Sequence, residues 1–172
     1  MAVAHADQKI VLFDPEFKLY SFQDSQFQGK TWSLKMKDNI LVRGSSQGIV
    51  DLWDVREFGS VKKINSFNRP GHKINAIDIS QHILAAGTSK GVTFWDLRKM
   101  KQRCEFNDSF NDEVSGLQFS SEEPTMFHAC AMDGLIVEFN LKEQNEEDAC
   151  EWGHQIIESP SKLQLLGRTT LI

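Results

Sequence analysis

Apolar residues recur along this chain with the period of strands. "INAIDIS" (74–80) alternates Ile74 and Ala76 with a polar face, and "HILAAGTS" (82–89) is a small-residue apolar run. "GVTFWD" (91–96) follows a tight turn, and "RCEF" (103–106) is short and half polar. Period-two alternation and brief apolar runs, punctuated by Gly, Ser and Asn, predict strands, and helical stripes are missing from most of the chain. The same four steps occur earlier as "KTWSLKM", "NILVRGSS", "GIVDLWD" and "VKKINSF". They return as "VSGLQFS", "MFHACAMD" and "LIVEFNL", with a weak outer strand near 148–152. The pattern predicts an all-β protein.

The strand groups are copies of one unit. An aromatic residue followed by Asp or Asn appears at Phe13-Asp14, Trp53-Asp54, Trp95-Asp96 and Phe139-Asn140, at spacings of 40, 42 and 44 residues. A turn residue and a Gly precede three of them: Gln47-Gly48, Lys90-Gly91 and Asp133-Gly134. A four-stranded propeller blade repeats about every 40–45 residues, with such a dipeptide closing one strand. The expected architecture is therefore a partial β-propeller of four-stranded antiparallel blades. Complete blades are expected at about 28–68, 72–108 and 112–152, with half-blades at 1–27 and 161–172. A lone half-blade leaves an unpaired edge. The two halves can join to close four blades, at the lower limit of the ~4–8 range. They can also belong to a longer ring, which the 40–44-residue period favours because small rings need tapered blades.

The four phased copies resemble the WD-repeat family over nearly the whole chain. The resemblance implies a propeller that serves as a platform for other proteins. Its usual contact face is formed by the turns before the third strands and the connections between blades. Those positions are Ser46, Gln47, Ser89, Lys90, Met132 and Asp133, with Arg69, Asp112 and Glu113. The family repeat also carries a hydrogen-bonded set: a His before the first strand, a hydroxyl on the second, an Asp in the next turn and the Trp. Here His72, Thr88 and Trp95 survive in one copy, with Lys90 in place of the Asp. Another has Ser45 and Trp53 with Gln47 in the turn, and a third has Asp133 but Phe139, which has no indole N–H to donate. No copy is complete, so apolar stacking is expected to outweigh polar staples. Phe13, Trp53, Trp95 and Phe139 are expected to be buried between blades and Asp54 and Asp96 to be structural. His72 is expected to be a satisfied core histidine that orients a turn.

Composition narrows the function. The 172 residues are 40% hydrophobic and 25% charged, with a formal net charge of −5, which suits a globular chain. No apolar run approaches the ~18 residues of a membrane span, and "MAVAHADQKI" does not read as a secretory signal. Cys104, Cys130 and Cys150 are an odd number without CxxC spacing, which reads as free thiols in a reducing compartment, cytoplasm or nucleus. The five histidines show no zinc-ligand spacing, and no nucleophile elbow or phosphate loop occurs, so neither metal, cofactor nor enzymatic activity is expected. The acidic segment "KEQNEEDACE" (142–151) reads as a solvated loop, with a basic partner as the sharper alternative. The favoured function is a scaffold binding a protein or peptide, with self-association or further blades completing the ring. The alternative is a nucleic-acid or ribonucleoprotein module using Lys62, Lys63, Arg69 and Lys73, against which the net negative charge counts.

Overall fold

The computed structural model describes residues 2–4, 9–13, 19–23, 29–57, 60–69, 72–143 and 145–156. The first sheet contains β1 (Ala2–Ala4), β2 (Lys9–Phe13) and β3 (Leu19–Gln23). The second contains β4 (Thr31–Lys37), β5 (Ile40–Ser45), β6 (Ile49–Glu57) and β7 (Ser60–Asn68). The third contains β8 (Ala76–Ser80), β9 (Ile83–Thr88), β10 (Gly91–Asp96) and β11 (Lys101–Phe106). The fourth contains β12 (Val114–Phe119), β13 (Met126–Ala131), β14 (Leu135–Asn140) and β15 (Cys150–Gln155), with one helical turn, α1 (Glu146–Ala149), before its last strand. Every sheet is an antiparallel meander, so the all-β propeller architecture stands. The first sheet has three strands among the described residues, one more than a half-blade. Ala2–Ala4 pairs antiparallel with Ile10–Leu12. The expected half-blade at 161–172 lies outside the described residues.

The sheets stack face to face. Ile10 and Leu12 of the first sheet meet Leu41 and Trp53 of the second. Val42, Leu52 and Phe67 of the second meet Ile79, Leu84 and Trp95 of the third. Phe94 and Phe106 of the third meet Phe127 and Phe139 of the fourth. Burial on both faces explains why β9 reads as a continuous run and not as an alternation: all six of its residues are buried. It also explains the small residues. A Cβ at Gly87 would come within 2.7 Å of the Val114 side chain, so a larger residue would wedge the third and fourth sheets apart.

First strands converge on one side of the stack. The buried Asp78 of β8 accepts the backbone N–H of Phe119 on β12 at 2.8 Å and pairs with Lys35 Nζ of β4 at 2.8 Å. One carboxylate thus joins three sheets, and its desolvation is offset by charge-assisted partners.

Trp95 is 3% exposed and stacked on Phe67 with centroids 5.2 Å apart. Trp95→Ala is expected to cost about 3–5 kcal/mol in chemical denaturation, the usual penalty for emptying a large aromatic core site. A loss below about 1 kcal/mol would mean the boundary between these sheets does not depend on this stack.

Candidate functional site

The turn between second and third strands is built alike in three sheets. Gly48, Gly91 and Gly134 have φ of 84°, 124° and 88°, in the region that favours glycine. At each, an added Cβ would also strike a carbonyl oxygen, of Arg69, Phe106 or Ile156. The turn is therefore pressed against the chain leaving the fourth strand, and Gly48 and Gly134 accept the N–H of Arg69 and Ile156 at 2.7 and 2.8 Å. In the second sheet, Ser45 Oγ accepts from the N–H groups of Gln47 and Ile49. In the third, Thr88 Oγ1 accepts from Lys90 and donates to the Gly91 carbonyl. In the fourth, Ala131 has no hydroxyl, and Asp133 accepts from Leu135, the donor equivalent to Ile49. The hydroxyl and the acid are thus alternative devices for one turn.

Around these turns lies an exposed patch of mixed polarity. Trp32 is 54% exposed, with Lys73 Nζ 4.5 Å from its ring centroid. Lys73 pairs with Glu113 at 3.2 Å, Asn75 Nδ2 donates to the same carboxylate at 3.0 Å, and the Met132 N–H donates to the Glu113 carbonyl. Met132 is itself 41% exposed. Ser46 accepts from the Lys30 N–H, and Gln47, Ser89, Lys90 and Asp112 are exposed. Asp133 is half-buried, occupied by its turn, and Arg69 is tied to Glu105. So Glu113 and Met132 join one patch, Ser46 and Gln47 lie in the turn of the second sheet, and the mostly buried Arg69 side chain is paired with Glu105.

The turn-based reading did not bring Trp32, Lys73 and Asn75 together, as the structure does. Aligned repeats carry the signal. A register shift between Thr31 and Ser33 isolates Trp32, and another between Val114 and Gly116 isolates Ser115. Asn75 occupies the corresponding place before β8. A bulge turns its extra residue out of the ladder, which is how an indole on an inner strand reaches solvent.

The expected structural residues divide. Trp53 is buried under Arg43, whose Cζ lies 4.8 Å from the ring, while Phe139 is fully buried and Phe13 half-buried. Asp54, Asp96 and Asn140 accept the N–H two residues on, from Arg56, Arg98 and Lys142, and so close the third strand. The Arg56 guanidinium holds the Asp54 carboxyl below its ordinary range. His72 differs from expectation: it is half-exposed, and its Nδ1 lies 3.5 Å from Ser89 Oγ, not at Thr88, whose hydroxyl is consumed by its own turn. The acidic segment also differs. Glu146 accepts the backbone N–H groups of Asn107, Asp108 and Ser109, docking α1 against the preceding connection. Of the four cations weighed for nucleic acid, Lys63 pairs with Asp51, Arg69 with Glu105 and Lys73 with Glu113.

Among the described residues no group of three or more His, Cys, Asp or Glu is placed to hold a metal ion. Burial raises the Cys104 and Cys130 thiols, and burial with Glu146 and Glu151 raises Cys150, which keeps all three protonated and poorly nucleophilic. No helix among the described residues is long and apolar enough to cross a membrane.

Antiparallel sheets stacked on aromatic faces, with an aromatic–Asx pair closing the third strand in three of them, give the chain a β-propeller fold, and in sequence it is similar to WD-repeat proteins. The chain is 29% identical over 131 residues to WD repeat-containing protein GTS1 of Arabidopsis thaliana, covering 75% of this chain and 33% of that protein. It is 28% identical over 111 residues to the WD repeat-containing protein 89 homolog of Dictyostelium discoideum, covering 64% of this chain and 30% of that one. It thus spans about a third of the length of these curated relatives. A chain in the crystal structure of a mitotic checkpoint complex shares the fold at a TM-score of 0.80 and 15% identity, over 94% of this chain and 49% of that one. No family model matches the chain.

Lys90 occupies the position of Asp133, and an acid there can accept the Val92 N–H as Asp133 accepts that of Leu135. Lys90→Asp is expected to leave the melting temperature unchanged or to raise it, by up to the ~0.5–1.5 kcal/mol of one hydrogen bond. A drop of several degrees with the fold intact would assign Lys90 a different task.

Proposed function

We propose that this chain is a non-enzymatic platform for protein–protein interaction, working in the cytoplasm or nucleus. Its contact face is the patch around the turns between second and third strands. The observation that carries this reading is Trp32: a 54%-exposed indole on a rigid inner strand, with Lys73, Asn75, Glu113 and Met132 around it. Exposed aromatics among mixed charges are the usual centre of a protein interface, where a few such residues supply most of the affinity. Ser46, Gln47, Ser89, Lys90, Asp112 and Asp133 form the polar rim in this reading, with Arg69 at its edge. A rigid sheet stack holds these turns without an ordering cost on binding, which favours recognition of a protein or peptide surface.

Two measurements test the proposal. Trp32→Ala is expected to abolish capture of the protein's partners from cell extract, by about 2 kcal/mol or more for a central aromatic, with unchanged thermal stability. Retained capture would move the contact face elsewhere. The same reading completes the propeller in trans, through a second copy or further blades, because a 40–44-residue repeat suits a ring of more than four blades. The isolated chain is then expected to self-associate in light scattering after size exclusion. A monodisperse monomer whose cooperative unfolding is lost on removing residues 161–172 would instead support a closed four-bladed ring.

A further inference from the structure

The end of the molecule that carries Trp32 is divided by charge. Lys30 stands two residues before Trp32, at the start of the second sheet. Lys90 follows Ser89, whose hydroxyl lies 3.5 Å from the ring of His72, the neighbour of Lys73. Both Lys30 and Lys90 are exposed and form no ion pair among the described residues. On the fourth sheet, Asp112 precedes Glu113, and Asp133 follows Met132, whose N–H donates to the Glu113 carbonyl. Neither acid has a cationic partner among the described residues: Asp112 accepts the N–H of Glu113, and Asp133 that of Leu135. Between the two groups Lys73 and Glu113 pair at 3.2 Å and cancel each other. Two positive charges remain on the second and third sheets, and two negative charges on the fourth.

The exposed large apolar side chains divide the same way. Trp32, 54% exposed, lies on the basic side beside Lys73, and Met132, 41% exposed, lies on the acidic side beside Glu113. A surface with opposite charges on its two sides is complementary to itself: turned over onto a second copy, its basic side falls on the acidic side, and the reverse holds for the other copy. A two-fold contact requires that property, because each pair of residues that meets does so twice with the copies exchanged. With the axis through the Lys73–Glu113 pair, the same rotation brings each Trp32 to Met132 of the other copy, and a thioether against an aromatic ring is a favourable contact. A uniformly charged partner, nucleic acid included, is attracted by one side and repelled by the other.

We propose that this face pairs with the same face of a second copy of the chain, about a two-fold axis through the Lys73–Glu113 pair. Lys30 and Lys90 of each copy then meet Asp112 and Asp133 of the other, around two Trp32–Met132 contacts. The proposal rests on the contact face assigned above and names its partner. It is separate from completion of the ring in trans, which joins blade to blade and leaves these turns free.

Sedimentation equilibrium of the 172-residue chain over about 10–500 µM is the test. The wild type is expected to show a twofold step in mass that weakens as salt rises toward about 1 M, where exposed charges are screened. Lys30→Glu/Lys90→Asp and Asp112→Lys/Asp133→Asn are each expected to weaken that step by about tenfold or more, with unchanged melting curves. Asn at position 133 keeps an acceptor for the Leu135 N–H. An equimolar mixture of the two variants is expected to regain the step, because one then has an acidic face and the other a basic one. Lys30→Gln/Lys90→Gln, which adds no new charge, is expected to fall between wild type and reversal. Trp32→Ala and Met132→Ala are each expected to weaken the step about tenfold. No step in the wild type, a step that survives both charge variants, or a mixture that does not regain what they lose would overturn the proposal. Failure of the contact-face reading is read separately: if Trp32→Ala still abolishes capture from extract while the mass step is absent, that face stands and the second copy is discarded.

Discussion

Phe67 and Trp95 lie ring against ring across the boundary between the second and third sheets. At the next boundary Phe94 meets Phe127 edge-on and Phe106 tilts against Phe139, each pair about 5 Å apart. These contacts hold the molecule in its arrangement, because a four-stranded sheet of this size has no core of its own. Each must bury both faces against neighbours, and aromatic pairs contribute about 0.5–1.5 kcal/mol beyond their buried area. Everything else about the chain follows from that requirement: short strands, small residues on second strands, and turns tight enough to leave the stacked faces clear.

Stacking also decides where function can reside. Where a sheet is packed on both faces, as the second and third are, its strand ends and connections are what remain for a partner. One end presents an indole, a methionine and paired charges around glycine turns, and the other presents basic hairpins followed by an acidic one. Identical backbone frames thus carry different surfaces, as expected where loops on a rigid repeat vary while the stacked faces are held to apolar residues.

Polar groups inside the stack have a different task. Arg43 and Asp51 are both buried at the first boundary, where Asp51 also takes Lys63 at 2.9 Å and the Ser66 hydroxyl at 2.6 Å while Arg43 covers Trp53. Desolvating such a cluster consumes much of its Coulombic gain, so its effect is on alignment of the two sheets more than on stability. Asp78 acts likewise among three first strands. Removing one partner from either cluster would leave a buried charge exposed to the full desolvation penalty.

Much of this was legible in the residues themselves. The phased aromatic–Asx pairs, the Gly at the start of three third strands and the strand-length apolar runs are local features, and local backbone geometry is what they encode: Gly48, Gly91 and Gly134 sit at positive φ. The burial of Trp53, Trp95 and Phe139 followed from the repeat. What the chain could not disclose on its own concerns which side chains meet. His72 turned to Ser89 because Thr88 was engaged in its turn, and Glu146 left solvent because three backbone N–H groups from another connection converged on it. Trp32 reached the surface through a bulge that shifts the register by one residue. The Glu146 contacts join segments 37 to 39 residues apart. Sequence periodicity sets the face a residue takes within its own strand, whereas packing of one sheet against the next sets its neighbours.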